Sequence, residues 1–150
     1  MCDSDNLAAF VKYAAAFEDG FAADDWGLVN VLFDDQISWA VGGLPTPEPF
    51  IAQGRDDVSA LIKQSVDTFD RRFDRREPAP VAGPVQIPGG IHLEWRVTYS
   101  REGIPAFELR GEEWDIFCDG KLVMHYEYLH NGAEALSVLA RHQDSLRPAR

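Results

Sequence analysis

The dipeptide Asp119-Gly120 stands between two segments with strand-like alternation, Phe107 to Cys118 and Lys121 to Leu129. A two-residue type I′ turn needs positive φ at both central positions, which Asp and Gly tolerate, so this site predicts a tight hairpin and fixes its register. Counting outward from the turn pairs Phe117 with Leu122, Trp114 with His125 and Glu112 with Glu127. Successive strand residues point to opposite faces. Arg110, Glu112, Trp114 and Ile116 are therefore expected to share one face with Val123, His125, Glu127 and Leu129. If Glu102-Gly103 closes the preceding hairpin, Trp95 pairs with Arg110 and Leu93 with Glu112, which adds Leu93, Trp95, Val97 and Tyr99 to that face. A longer loop over Arg101 to Pro105 is the alternative.

That expected face mixes Trp95, Tyr99 and Trp114 with Arg110, Glu112, His125 and Glu127. Burying charge among aromatics is costly unless the charges are paired, so the mixture suggests the lining of a cavity. The opposite face is expected to carry Phe107, Leu109, Phe117, Leu122, Met124, Tyr126 and Tyr128, too apolar to leave in water. A homodimer through the face bearing Tyr126 and Tyr128 follows as an expectation.

Upstream the period changes. Leu7, Phe10, Val11, Ala14, Phe17 and Phe21 recur at three and four behind Asp5 or Asn6 as a cap, which predicts a first helix. Asp24-Asp25 can cap a short second helix carrying Trp26, Val29, Leu32 and Phe33, followed by a strand over Ile37 to Val41. Gly42 to Pro49 is rich in glycine and proline and predicts a surface loop. Val58, Leu61, Ile62, Val66 and Phe69 mark a third helix from Gly54 to about Asp70, with Asp56-Asp57 at the positive end of its dipole. The remainder reads as strands, beginning with a proline-interrupted edge segment over Phe73 to Ile87 and continuing with Ile91 to Tyr99. A short terminal helix follows from Gly132 to about Leu146. Helices first and a strand meander afterwards give an α+β chain. Its 150 residues suit a single domain over 1–150.

A net charge of −11 repels phosphate backbones and anionic lipid, which disfavours nucleic acid and membrane partners. Two cysteines, Cys2 and Cys118, form no zinc set or disulfide framework and suggest a reducing compartment. The acidic N-terminus is unlike a signal peptide, and no apolar run approaches the ~18 residues of a membrane span. A cytoplasmic protein is the expectation.

The order helix, helix, strand, proline loop, Gly-Arg-Asp-Asp helix and long strands resembles the nuclear-transport-factor-2-like superfamily over nearly the whole chain. Asp119-Gly120-Lys121-Leu122-Val123-Met124-His125-Tyr126-Glu127 looks like the pocket strand of SnoaL-like polyketide cyclases. The resemblance implies a cone-shaped, curved, mixed sheet packed against three N-terminal helices, enclosing a small apolar ligand. It carries acid-base roles to His125 and to Glu127, where the family has Asp. Limonene-epoxide-hydrolase-like relatives also place a catalytic Asp at the position of Glu127, but their Arg-x-Asp pair is matched here by a reversed Glu94-x-Arg96. Ketosteroid isomerases place their base, Tyr donor and Asp donor at positions matching Ala40, Phe17 and Arg110, which disfavours that reaction.

The expected chemistry is cofactor-independent: Glu127 abstracts a proton, His125 shuttles one, Glu112 tunes the base and Arg110 steadies a developing enolate. Phe17, Trp26, Trp39, Trp95, Tyr99 and Trp114 are the expected substrate-binding aromatics. Cyclisation, isomerisation or dehydration of a polycyclic, aromatic or terpenoid-like molecule is the reading. The blander alternative is an Arg110-Glu112-Glu127 ion network that ties strands together in a non-catalytic ligand-binding or protein-interaction domain. No metal site is expected, because no tight His/Cys/carboxylate set is visible and His125 and His130 point oppositely in a strand. Arg71-Arg72-Phe73-Asp74-Arg75-Arg76 is the one basic cluster, either an anion contact or a solvated helix end.

Overall fold

A computed structural model describes residues 5–46 and 49–150; the first four residues, and Pro47 and Glu48 of the expected loop, lie outside the described part. The chain runs α1 (Asn6–Ala23), α2 (Gly27–Asn30), β1 (Phe33–Gly42), β2 (Phe50–Gln53), α3 (Arg55–Thr68), a 3-10 turn (Asp70–Arg72), β3 (Arg75–Ile87), β4 (Gly90–Arg101), β5 (Ile104–Cys118), β6 (Lys121–Leu129) and α4 (Gly132–Arg141). Asp5 caps α1 by accepting from the Ala8 amide, as its position suggested. The strands form one open mixed sheet in the order β2-β1-β6-β5-β4-β3. Only β1 and β6 run parallel; the other neighbours are antiparallel. The proline-bearing β3 lies at one edge, where missing amides cost no ladder bonds.

Several boundaries differ from expectation. Phe33 opens β1 instead of closing a helix, because it pairs beside Leu122 in the core while α2 lasts only four residues. β2 was not expected, and α4 stops at Arg141. Cys118 is disulfide-bonded, against the expectation drawn from the cysteine count; Cys2 lies outside the described residues. Among the described residues no helix is long and apolar enough to cross a membrane.

Two one-residue irregularities decide which side chains face inward. At the β5–β6 turn Phe117 pairs with Leu122 as expected, but Ile116 pairs with Met124, which leaves Val123 as an extra residue. At the other end of β5, Arg101 pairs with Ile104 while Tyr99 pairs with Phe107. Leu122 and His125 are both buried, as are Ile104 and Phe107. Residues three apart share a face of a strand only if one residue between them bulges. The central part of β5 is thereby turned over relative to the hairpin count, so that odd-numbered residues from Phe107 to Phe117 face inward.

The inner face packs on the helices. Near one end the core gathers Phe10, Tyr13, Trp26, Phe33, Ile37, Trp39 and Val58; a second cluster holds Phe73, Tyr99, Phe107, Leu109 and Leu146. Gly111 lies between β5's buried residues, and a Cβ there would sit 2.6 Å from the Trp95 indole, so the absence of a side chain gives that ring its place.

Candidate active site

Asp115 on β5 and His125 on β6 are direct cross-strand partners, and the same register sets Glu113 opposite Glu127. All four belong to the inner face. His125 Nδ1 lies 2.7 Å from an Asp115 carboxylate oxygen, and the imidazole stacks on Trp39 with ring centres 3.7 Å apart. Its Nε2 stands 3.6 Å from the Glu127 carboxylate, too far for a hydrogen bond. Asp115 and His125 are buried to 0% and 2% exposure, whereas the Glu127 side chain keeps 22%.

This packing sets the charges. Burial alone would discharge His125, but the Asp115 charge and hydrogen bond, with Glu127 and Glu113 adding to them, raise its pKa to about 10. The ring is consequently an imidazolium at neutral pH, with Nδ1–H donating to Asp115 and Nε2–H directed toward Glu127. Burial, then the Asp115 charge, pushes the half-buried Glu113 carboxyl well above the usual carboxylate range, with His125 opposing. The Tyr13 phenol of α1 is likewise pushed up by burial and by Asp115, Glu113 and Glu127, which places it in the same electrostatic field. Several buried polar atoms have no hydrogen-bond partner: Asp115 Oδ2, His125 Nε2, and the indole nitrogens of Trp26 and Trp95. Such atoms are costly unless a water or ligand engages them.

The structure brings part of the expected set together. His125 and Glu127 are brought together on the inner face with Trp39 and Trp95, and Trp26 packs against Phe17 at 5.2 Å within the adjoining core. Tyr99 also faces inward, but its hydroxyl donates to Asp70 at 2.7 Å. Arg110, Glu112 and Trp114 are corrections: the bulges turn them to the outer face, away from His125. Arg110 is exposed there. Glu112 meets His92 at 3.1 Å and His130 at 3.7 Å, so the Arg110-Glu112-Glu127 network does not form. Trp114 stacks between His92 and Tyr126. Phe107, Leu109, Phe117 and Leu122, expected on the outer face, are core.

Asp115, Glu113 and Tyr13 were missed. The signal for Tyr13 was present, since it stands three residues after Phe10 and four before Phe17 on the apolar stripe of α1. For Asp115 and Glu113 the run Glu112-Glu113-Trp114-Asp115 puts carboxylates on both faces, and only the bulges choose between them. Glu113, Asp115 and His125 also offer ligand atoms within 4.8 Å of one another, the one such group among the described residues. This corrects the expectation that no tight set exists. A cation bound through Nδ1 would have to displace the proton shared with Asp115.

No family model matches the chain, and no curated protein matches it in sequence. Solved structures do. An NTF2-like protein of unknown function from Burkholderia pseudomallei superposes with a TM-score of 0.67 at 17% identity, covering 91% of this chain and 98% of that one. A provisionally assigned isomerase from Rhodopseudomonas palustris gives 0.67 at 16% identity, over 94% and 99%. A provisionally assigned SnoaL-like polyketide cyclase from a Jannaschia species gives 0.65 at 10% identity, over 93% and 98%. Six strands, four helices and these superpositions establish that the chain has the nuclear-transport-factor-2-like cone fold.

Proposed function

We propose that the protein is a cofactor-independent enzyme that moves protons on a small, largely apolar molecule held at the inner face of the sheet. The observation that carries this reading is the buried file Asp115–His125–Glu127, with Asp115 Oδ2 and His125 Nε2 left unpaired. Glu127, the member of the file with solvent access, is the base that abstracts a carbon-bound or hydroxyl proton. His125, charged and oriented by Asp115, faces the oxyanion that develops and returns a proton through Nε2. This assigns to His125 the stabilising part expected of Arg110. Trp39, Trp95 and Tyr13 supply apolar contact around the reacting carbon. Structural neighbours bearing provisional isomerase and polyketide cyclase names favour isomerisation or cyclisation over other proton-transfer reactions.

A thermal-shift and turnover screen of polyketides, steroids and terpenoids, run on wild type and Glu127→Gln, tests the reading. Stabilisation retained with turnover lost is expected. Turnover unchanged in Glu127→Gln removes the assigned base, and binding without turnover in the wild type favours a ligand carrier.

The outer face supports a second copy of this chain as its cover. Met124 and Tyr128 are 38% and 42% exposed there, and Met124 lines a recess of about 420 Å³ with Trp114, Ile116 and Tyr126. Tyr128→Lys is expected to convert a dimer to a monomer in light scattering after gel filtration; a wild-type monomer at high concentration overturns the assembly.

A further inference from the structure

A recess of about 280 Å³ opens where the 3-10 turn, the start of β3 and the chain after α4 converge. Five guanidinium-bearing residues line it, Arg71, Arg75, Arg76, Arg147 and Arg150, against two carboxylates, Asp70 and Asp74. In a chain of net charge −11 this is a local reversal of sign. Bulk repulsion is screened over about 8 Å at physiological salt, so the groups at the wall decide what enters.

The acids nearby engage Arg76 well, since it donates to Asp70 and to both oxygens of Glu18, but they satisfy the other cations less fully. One oxygen of Asp74 is shared by Arg101 at 2.6 Å and Arg147 at 2.9 Å. Asp24 is divided among Arg71 at 3.1 Å, Arg150 at 3.6 Å and Lys63 at 3.6 Å. Asp70 accepts from both Arg76 and Tyr99. Arg71 Nε is buried, 3.4 Å from an Asp67 oxygen, yet makes no hydrogen bond. Arg75 forms an ion pair with Glu77 at 3.3 Å, with both side chains more than half exposed. Spare donor capacity is thus present on several guanidiniums, while Arg71 and Arg76 are held in place by their stacking on Phe21.

We propose that this recess binds a small phosphate-bearing molecule, the phosphate dianion taking the unshared N–H groups of Arg75, Arg147 and Arg150 with Arg71 and Arg76 behind them. Guanidinium forks match phosphate oxygens two at a time, and an oxyanion would relieve the crowding of several cations on single carboxylates. The site is separate from the Asp115–His125–Glu127 file and does not depend on the reaction proposed there.

Calorimetric titration with inorganic phosphate and with pyrophosphate, at constant ionic strength and with chloride as the control, tests the assignment. Saturable binding is expected, weakened about tenfold by Arg75→Gln and further by Arg75→Gln/Arg147→Gln. Both residues are largely exposed, so these variants should melt close to the wild type. Absence of saturable heat, or affinity unchanged in both variants, overturns the site. Pelleting with phosphatidate vesicles separates the sources of phosphate: capture by vesicles without binding of free phosphate or pyrophosphate overturns the small-molecule assignment in favour of a lipid surface.

Discussion

Two histidine–carboxylate pairs occupy opposite faces of the same sheet. His125 and Asp115 meet at 2.7 Å on the inner face, and His92 and Glu112 meet at 3.1 Å on the outer one. The contacts are chemically alike, but their surroundings differ. The outer pair keeps about a quarter of each side chain in solvent, so water solvates either member if the other is lost. The inner pair is sealed beneath Trp39, and each member is the other's principal source of solvation. Burial thus converts an ordinary surface contact into an obligatory one: it disfavours the charge on His125, and the Asp115 charge and hydrogen bond outweigh it to raise the pKa to about 10.

The comparison breaks most sharply at Asp115. Asp115→Ala leaves an imidazole that must be buried either charged and unpaired or neutral and short of a partner. A loss of about 3–5 kcal/mol of unfolding free energy is expected in urea denaturation. A loss below ~1 kcal/mol would show that the two faces are energetically alike.

Next in size is a pH effect. The folded state holds the His125 proton more tightly than the unfolded chain, so this stabilisation is complete below the ordinary pKa of 6.5 and disappears as pH rises through about 10. Unfolding free energy of the wild type should fall across that window by about 1.4 kcal/mol per pH unit at most. Asp115→Asn should flatten the slope. An equal slope in both proteins would trace it to other groups. The smallest effect is on the outer face, where Glu112→Ala should change stability by less than about 1 kcal/mol and leave any turnover intact.

Much of the architecture was legible in the sequence because its determinants are local. Asp5 caps a helix through an amide three residues away, Asp119-Gly120 adopts the positive φ that a tight turn requires, and proline marks β3 as an edge. His125 and Glu127 were legible for the same reason, since their shared face follows from alternation along one strand. Arg110, Glu112 and Trp114 were misplaced because their orientation depends on the extra residues near Pro105 and at Val123. Those bulges answer to the burial of Ile104, Phe107, Leu122 and His125 against distant helices, which no turn signal encodes. Asp115 was overlooked through the same one-residue error.

The bulge at Val123 makes chain length part of the chemistry. Phe33 pairs with Leu122 on one side of it, while Trp39 pairs with His125 on the other. A strand of the same length without the bulge would turn His125 outward and bring Met124 beneath Trp39, whereas deleting Val123 leaves Leu122, Met124 and His125 in plain alternation with His125 still opposite Asp115. Gene shuffling among relatives should therefore tolerate insertions at the Asp119-Gly120 tip far better than a gained codon between Leu122 and His125, which would widen the bulge or carry His125 past Asp115 to stand opposite Glu113.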